Sequence, residues 1–399
     1  MARHAPYHGP ILFSYGFRPF FLGATLLALG VIPVWLAVWQ GAVTLAGPFA
    51  PVDWHVHEML FGYAAAVIAG FLFTAIPNWT GRMPTRGWPL MMLAALWLLG
   101  RLAVAGLLAL PPVGVMALDG AFLLAIAGMA GVEIVAGRNW RNLMVLAPVT
   151  LLFAANLTFH LEAMLTGTAD VARRLAVAVV IFLITLIGGR IIPSFTRNWL
   201  VQHGARRLPV PFGRYDNLCL AAGALALVAW TARPEGWPTA LLLALAGLLH
   251  LARLARWRGE ATWPSPLLLM LHLAYLFVPL GLLATAGAAL GLLPAAAGLH
   301  LLGIGAIGGM TVAVMMRATR GHTGRSLVAG PWLTAAFALV ALAALVRAAS
   351  AGVDGITVSA ALWTAGYGIL AANLAPWLVR PNPARRTPSR PAAPATPHP

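Results

Sequence analysis

Apolar residues run along this chain in blocks of about twenty, separated by short connections rich in Arg, Trp, Pro and Gly. A helix rises about 1.5 Å per residue, so one such block reaches across the roughly 30 Å hydrocarbon core of a bilayer. The pattern predicts about twelve spans, near residues 20–39, 56–77, 89–110, 113–135, 143–165, 175–193, 216–232, 238–255, 266–288, 297–316, 332–349 and 356–378. The expected class is an all-α polytopic membrane protein whose partner is the lipid bilayer. Residues 1–380 form one transmembrane domain, and the Pro-rich stretch 381–399 a disordered tail.

The second block departs from the others at its mouth, where DWHVHE (Asp53 to Glu58) places two histidines and a carboxylate before an uncharged run. Polar side chains are expensive at membrane depth and call for a functional explanation. At 100° per residue His55 and Glu58 share a face, while His57 points away with Phe61 and Ile68. One metal therefore does not take both histidines in a regular helix. Gly62, Ala66 and Gly70 add a seam of small residues that admits a close neighbour.

Composition sharpens the class. Of 399 residues 60% are hydrophobic and 9% charged, which overrides the soluble multi-domain prior for this length. The net charge of +16 is not a nucleic-acid signature, because there is no Lys and the Arg residues lie between apolar runs. They cluster at the N-terminus, at every second connection and in the tail: Arg82 and Arg86, Arg138 and Arg141, Arg197 to Arg214, Arg253 to Arg258, and Arg317 to Arg325. The positive-inside bias then makes both termini cytoplasmic and leaves Asp53 exposed outside. The single Cys219 excludes an intrachain disulfide, and no short cleavable leader precedes the first span.

This topology sorts the histidines by depth. His55, His57, His160 and His300 fall at the outer face; His250, His272 and His322 fall at the inner one. The spacing also repeats. His57 is followed by Gly62 and Thr80-Gly81-Arg82, and His300 by Gly305 and Thr323-Gly324-Arg325, while Ile192 to Asn198 echoes Ile76 to Arg82. Together with Trp140, Trp257 and Trp377 at span ends, this suggests three four-helix repeats of roughly 120 residues. It sets His57 and His300 at equal depth on parallel helices, a candidate pair of axial ligands. Convergent use of Trp and Arg as interfacial anchors would produce part of the same pattern.

Imidazole suits copper and haem iron, whereas the carboxylates are too scattered for a hard-cation cage. Asn156 lies one turn before His160 and is placed to orient it; Glu58 is placed to do the same for a neighbouring ring. His272 and Tyr275 share a face of the ninth span, as a proton or electron route or simply a buried hydrogen bond, and Arg190 sits inside the sixth, either snorkelling to the headgroups or as a propionate partner. Met310, Met315 and Met316 are soft donors that also serve as ordinary packing residues.

HVHEMLFG with AGFLFTAIPNWTGR, GGRIIPSFT, LHLAY and HLLGIGAIGGMTVAVMMRATRGHTGR together resemble the NnrS family over nearly the whole chain. That resemblance implies a bacterial inner-membrane protein of twelve helices, associated with haem (b-type) and copper and with the response to nitric oxide in denitrification or nitrosative stress. It carries His55, His57, His160, His250, His272, His300 and His322 as histidines in the family's motifs. No His-His pair or His-x-x-x-Tyr of a haem-copper oxidase is present in a span, so that enzyme's mechanism does not transfer, and the enzyme class left by the resemblance is a haem/copper oxidoreductase acting on nitric oxide or a related species. The rival classes are a secondary transporter and a non-catalytic membrane sensor or assembly protein. The topology is directly testable: Cys placed singly within Gly41–Ala50 should react with an impermeant thiol reagent in intact cells, and labelling only after permeabilisation would invert the map.

Overall fold

The computed structural model describes residues 7–350 and 352–382, and the tail from residue 383 lies outside the described residues. The described chain is helical, with no strand among the described residues. Twelve helices form the bundle: α1 (Phe17–Trp39), α2 (Pro51–Thr80), α3 (Trp88–Val104), α4 (Pro112–Ala136), α5 (Leu146–Thr166), α6 (Asp170–Gln202), α7 (Arg214–Ala232), α8 (Trp237–Ala255), α9 (Pro266–Ala289), α10 (Ala295–His322), α11 (Pro331–Ala349) and α12 (Val353–Val379). Among the described residues, eleven helices are long and apolar enough to cross a membrane, α5 being counted with its lead-in turn, and α3 is apolar but shorter.

Local chemistry sets the ends. Pro occupies the first turn of α2, α3, α4, α8, α9 and α11, where its missing N–H has no partner to lose. Gly81 and Gly167, both left-handed, close α2 and α5. The third predicted span, 89–110, is too long, because α3 stops at Val104. There Gly106 turns left-handed, and a side chain on it would meet the backbone of Ala46 at 2.3 Å. A side chain on Gly47 would likewise collide with the Val104 carbonyl, so the α1–α2 connection packs closely onto the end of α3.

The helices are arranged as hairpins that close on themselves: α4 packs on α5, α8 on α9, and α12 returns to α1. Inside that ring stand α2, α6 and α10, which with α9 are the most buried helices. Each of the three is interrupted by a π-helical segment, at Glu58–Ala64, Ile184–Gly188 and Leu301–Gly308. Such segments carry one extra residue per turn and frequently mark functional positions. We call the end at which α2, α6 and α10 begin the upper end, and the other the lower end.

The small seam on α2 receives α1 and α3. A Cβ on Gly70 would sit 2.7 Å from the Phe21 ring, and one on Gly62 would sit 2.7 Å from Arg101 Nη1. Gly305 makes room for something different, the Phe277 ring, whose Cγ lies 2.4 Å from the Cβ position. Gly62 and Gly305 are thus explained by close side chains rather than by a common flat ring. Overpacking costs about 1–3 kcal/mol, so Gly305→Ala should lower the thermal unfolding temperature of the purified protein. Gly303→Ala, with nothing within 4 Å of its added carbon, should leave it near wild type.

Candidate functional site

Four helices deliver charge to one buried point near the upper end. His57 and Glu58 come from α2, Arg101 from the last turn of α3, Asp119 from α4, and Asn156 and His160 from α5. All six are buried; the most accessible, Arg101, is 6% exposed. Arg101 donates to Glu58 Oε1 at 2.6 Å and, through its other terminal nitrogen, to Asp119 Oδ1. The remaining oxygen of Asp119 lies 3.1 Å from His57 Nε2 and 3.1 Å from His160 Nε2, and it accepts from Asn156 Nδ2 at 2.7 Å. His57 Nδ1 faces Glu58 Oε1 at 3.4 Å. Phe49, from the α1–α2 connection, covers both imidazoles with ring centroids at 4.7 and 4.8 Å, and Phe61 and Phe159 complete an apolar wall.

The charge count carries the chemistry. Glu58 and Asp119 contribute two negative charges and Arg101 one positive, leaving one negative charge in a desolvated place. A proton on a histidine or a bound cation neutralises it. His57, Asp119 and His160 offer one donor atom each, all within 4.8 Å of one another. Separations of 3.1 Å between neighbouring donors match ligands placed about 2.0–2.2 Å from a common metal. Glu58 stands on His57 Nδ1 as an outer carboxylate, and His57 Nε2, which meets the Asn156 amide at 3.2 Å, turns toward Asp119. The donor set thus fits a borderline divalent metal such as copper or zinc.

His55 and His57 do face apart. His55 lies against Trp35, ring centroids 4.6 Å apart, and borders a cavity of about 450 Å³ together with His300, Arg173, Arg347 and Tyr63. Its Nδ1 is buried without a partner. His300 Nδ1 donates to the Ala296 carbonyl at 2.7 Å, which leaves Nε2 as the free lone pair. The structure therefore brings His300 together with His55, while His57 joins His160 in the adjoining cluster.

Other expectations shift as well. Glu58 lies with His57 and not with His55, because its carboxylate reaches Arg101 where the π segment begins. Asn156 holds Asp119 and His57, at 3.2 Å, rather than its helical neighbour His160. Asp53 is buried, not exposed: it accepts from the Ala169 N–H at 3.3 Å and faces Arg173. Arg190 lies in the lower half of α6, next to Met144 and Phe212, away from the histidine-lined cavity; Arg173 and Arg347 stand at the cavity instead.

At the lower end the partners are also redistributed. Tyr275 donates to His250 Nδ1 at 2.8 Å and accepts from Arg253 Nη1 at 3.0 Å, while Arg253 Nε donates to Asp216 at 2.8 Å. His272, expected to pair with Tyr275, bonds Thr196 Oγ1 at 2.8 Å. The spare nitrogens of His250 and His272 abut Gly223 and Gly259, whose Cβ positions would lie 3.0 and 2.7 Å away. Backbone fills the space a metal would need there. His322 stacks on Tyr15. Among the described residues the one group of three or more His, Cys, Asp or Glu side chains close enough to share a metal ion is His57, Asp119 and His160.

Arg101 and Asp119 were not singled out from sequence. The available signal was simple: each is an ionisable residue inside an apolar span, which is by default functional or paired.

A protein-family model described as NnrS protein matches residues 11–382. No curated protein matches the chain.

Removing one partner of a buried ion network leaves the other charges uncompensated, at about 3–5 kcal/mol. Arg101→Met should therefore lower the unfolding temperature sharply, and adding Glu58→Gln should recover part of the loss. Equal stability of wild type and the single variant in a detergent melt would show that the network is not what holds these four helices.

Proposed function

The chain belongs to the NnrS family, and on that premise we propose that it binds haem and copper in a bacterial inner membrane and acts in nitric oxide metabolism or protection from nitrosative stress. In this reading the upper end faces the periplasm, as the arginine asymmetry indicates, and the bundle is built from three four-helix repeats. The common onset of the π segments at Glu58, Ile184 and Leu301 supports the repeat.

The observation that carries the metal assignment is the convergence of His57, Asp119 and His160 on one buried point of residual negative charge. These residues would hold copper. Glu58 and Arg101 would keep the first two ligands oriented, and Phe49 would exclude water. Haem suits the adjoining cavity, where His55 and His300 supply imidazoles, Trp35 and Trp363 flat apolar walls, and Arg173 and Arg347 cations for carboxylate groups. The cavity volume lies within the roughly 300–1,000 Å³ of ordinary cofactor sites. Haem held by one of these imidazoles, and copper, would supply one-electron chemistry and a coordination position for a diatomic gas. The protein's own residues orient the donors, balance charge and keep the place dry. The expected pairing of His57 with His300 does not carry over, since the histidine that shares the cavity with His300 is His55.

Two substitutions separate the sites. His300→Ala should remove or perturb the haem absorption bands and leave copper bound, whereas His160→Ala should release copper and leave the haem bands in place. Metal analysis and an optical spectrum of each purified variant read this out. If both variants lose the same single cofactor, the two-site assignment is wrong.

A further inference from the structure

Three cavities lie in series along the centre of the bundle, all bordered by α2, α6 and α10. The upper one, of about 450 Å³, is the histidine-lined cavity already described. A lower one, of about 440 Å³, is rimmed by Asn78, Arg317 and His322. Between them is a waist of about 80 Å³ walled by Ala64, Val67, Val180, Ile187 and Met310. Phe71, Ile191 and Val314 belong to both the waist and the lower cavity. On the upper side the two cavities are separated by one turn or less of each helix, at Tyr63 and Ala64, Val177 and Val180, and Ile307 and Met310.

The waist lies beside the three π segments: Ala64 ends the first, Ile184 and Ile187 belong to the second, and Met310 follows the third. Its chemistry is uniform. Among the described residues Thr311 is its one polar side chain, and that hydroxyl is already committed, donating to the Ile307 carbonyl at 2.7 Å and meeting Tyr63 Oη at 2.5 Å. A water needs about two to four polar partners, so such a space stays dry and takes apolar guests. An ion crossing it would forfeit its hydration without replacement.

We propose that the waist is a holding and transit site for a small uncharged gas molecule moving between the lower and upper cavities. The vestibules at either end are roomier and each carries a few polar or charged side chains; the constriction passes what needs no hydrogen bond and stops water, protons and ions. Tyr63, hydrogen-bonded to Thr311 and to Tyr367, stands at the boundary between waist and upper cavity. The identity of the gas as a diatomic consumed or sensed at the upper cavity rests on the proposed function; the dry waist itself does not.

Xenon tests the site without any cofactor. Crystals of the wild-type protein under xenon pressure should show the gas bound in the waist, and Val314→Phe and Ile187→Phe, on different helices, should each abolish it. Both variants should keep the wild-type melting temperature and metal content. In haem-loaded protein they should also slow carbon monoxide binding while leaving the absorption spectrum unchanged. An empty waist in the wild type, xenon retained in both variants, or proton conductance in wild-type proteoliposomes would overturn the site. Lost xenon with an unchanged carbon monoxide rate would overturn transit. Since xenon needs no haem, a protein that binds xenon but no haem refutes the functional reading and leaves the site standing.

Discussion

A guanidinium cannot be left alone inside a bilayer, and the upper half of this protein is arranged around satisfying one. Arg101 reaches Glu58 on α2 and Asp119 on α4 at once. Asp119, committed to Arg101 by one oxygen, presents the other to two imidazoles and an amide. The position of each later group follows from the earlier one. Gly62 is bare because the guanidinium occupies the space where its side chain would be, and the Gly62 carbonyl, in the π segment, accepts from Trp97 Nε1 at 2.9 Å. The contacts that satisfy Arg101 are thus the same ones that bring His57, Asp119 and His160 together, and removing either carboxylate would leave the guanidinium short of a partner.

The lower end offers a comparison with the same ingredients and a different outcome. Arg253 is paired with Asp216 and Tyr275, and His250 closes the chain. Here backbone and glycine press against every spare nitrogen: a Cβ on Gly189 would lie 2.1 Å from Arg253 Nη2. The count of charges balances within the pair, and no donor set converges. Buried histidine and arginine alone therefore do not make a candidate metal group; at the upper end three donors converge beside a residual charge as well.

Much of the architecture was legible from hydropathy, because a span must be about twenty apolar residues long and Pro and Gly mark its ends. The opposite facing of His55 and His57 followed from helical geometry alone. Partners were not legible. His272 and Tyr275 share a face by spacing, yet the histidine that meets Tyr275 comes from α8. Asn156 lies one turn from His160 and serves His57 instead. Arg101 and Asp119 sit on successive helices with no local spacing to connect them, and only packing shows that they touch. The length of α3 also escaped the pattern, since apolar residues continue past Val104 into a connection held by Gly106 and Gly47.

That short third helix bears on how the chain is made. A helix entering the membrane with a central arginine is penalised by roughly 2.5–3.5 kcal/mol on insertion scales, somewhat less near its end, and α3 has fewer apolar residues than its neighbours to offset it. Glu58 precedes α3 during synthesis, but Asp119 follows it, arriving only with α4. The guanidinium of Arg101 therefore has both of its carboxylates only once α4 is in place, and α3 and α4 together, rather than α3 alone, make up the charge-balanced unit.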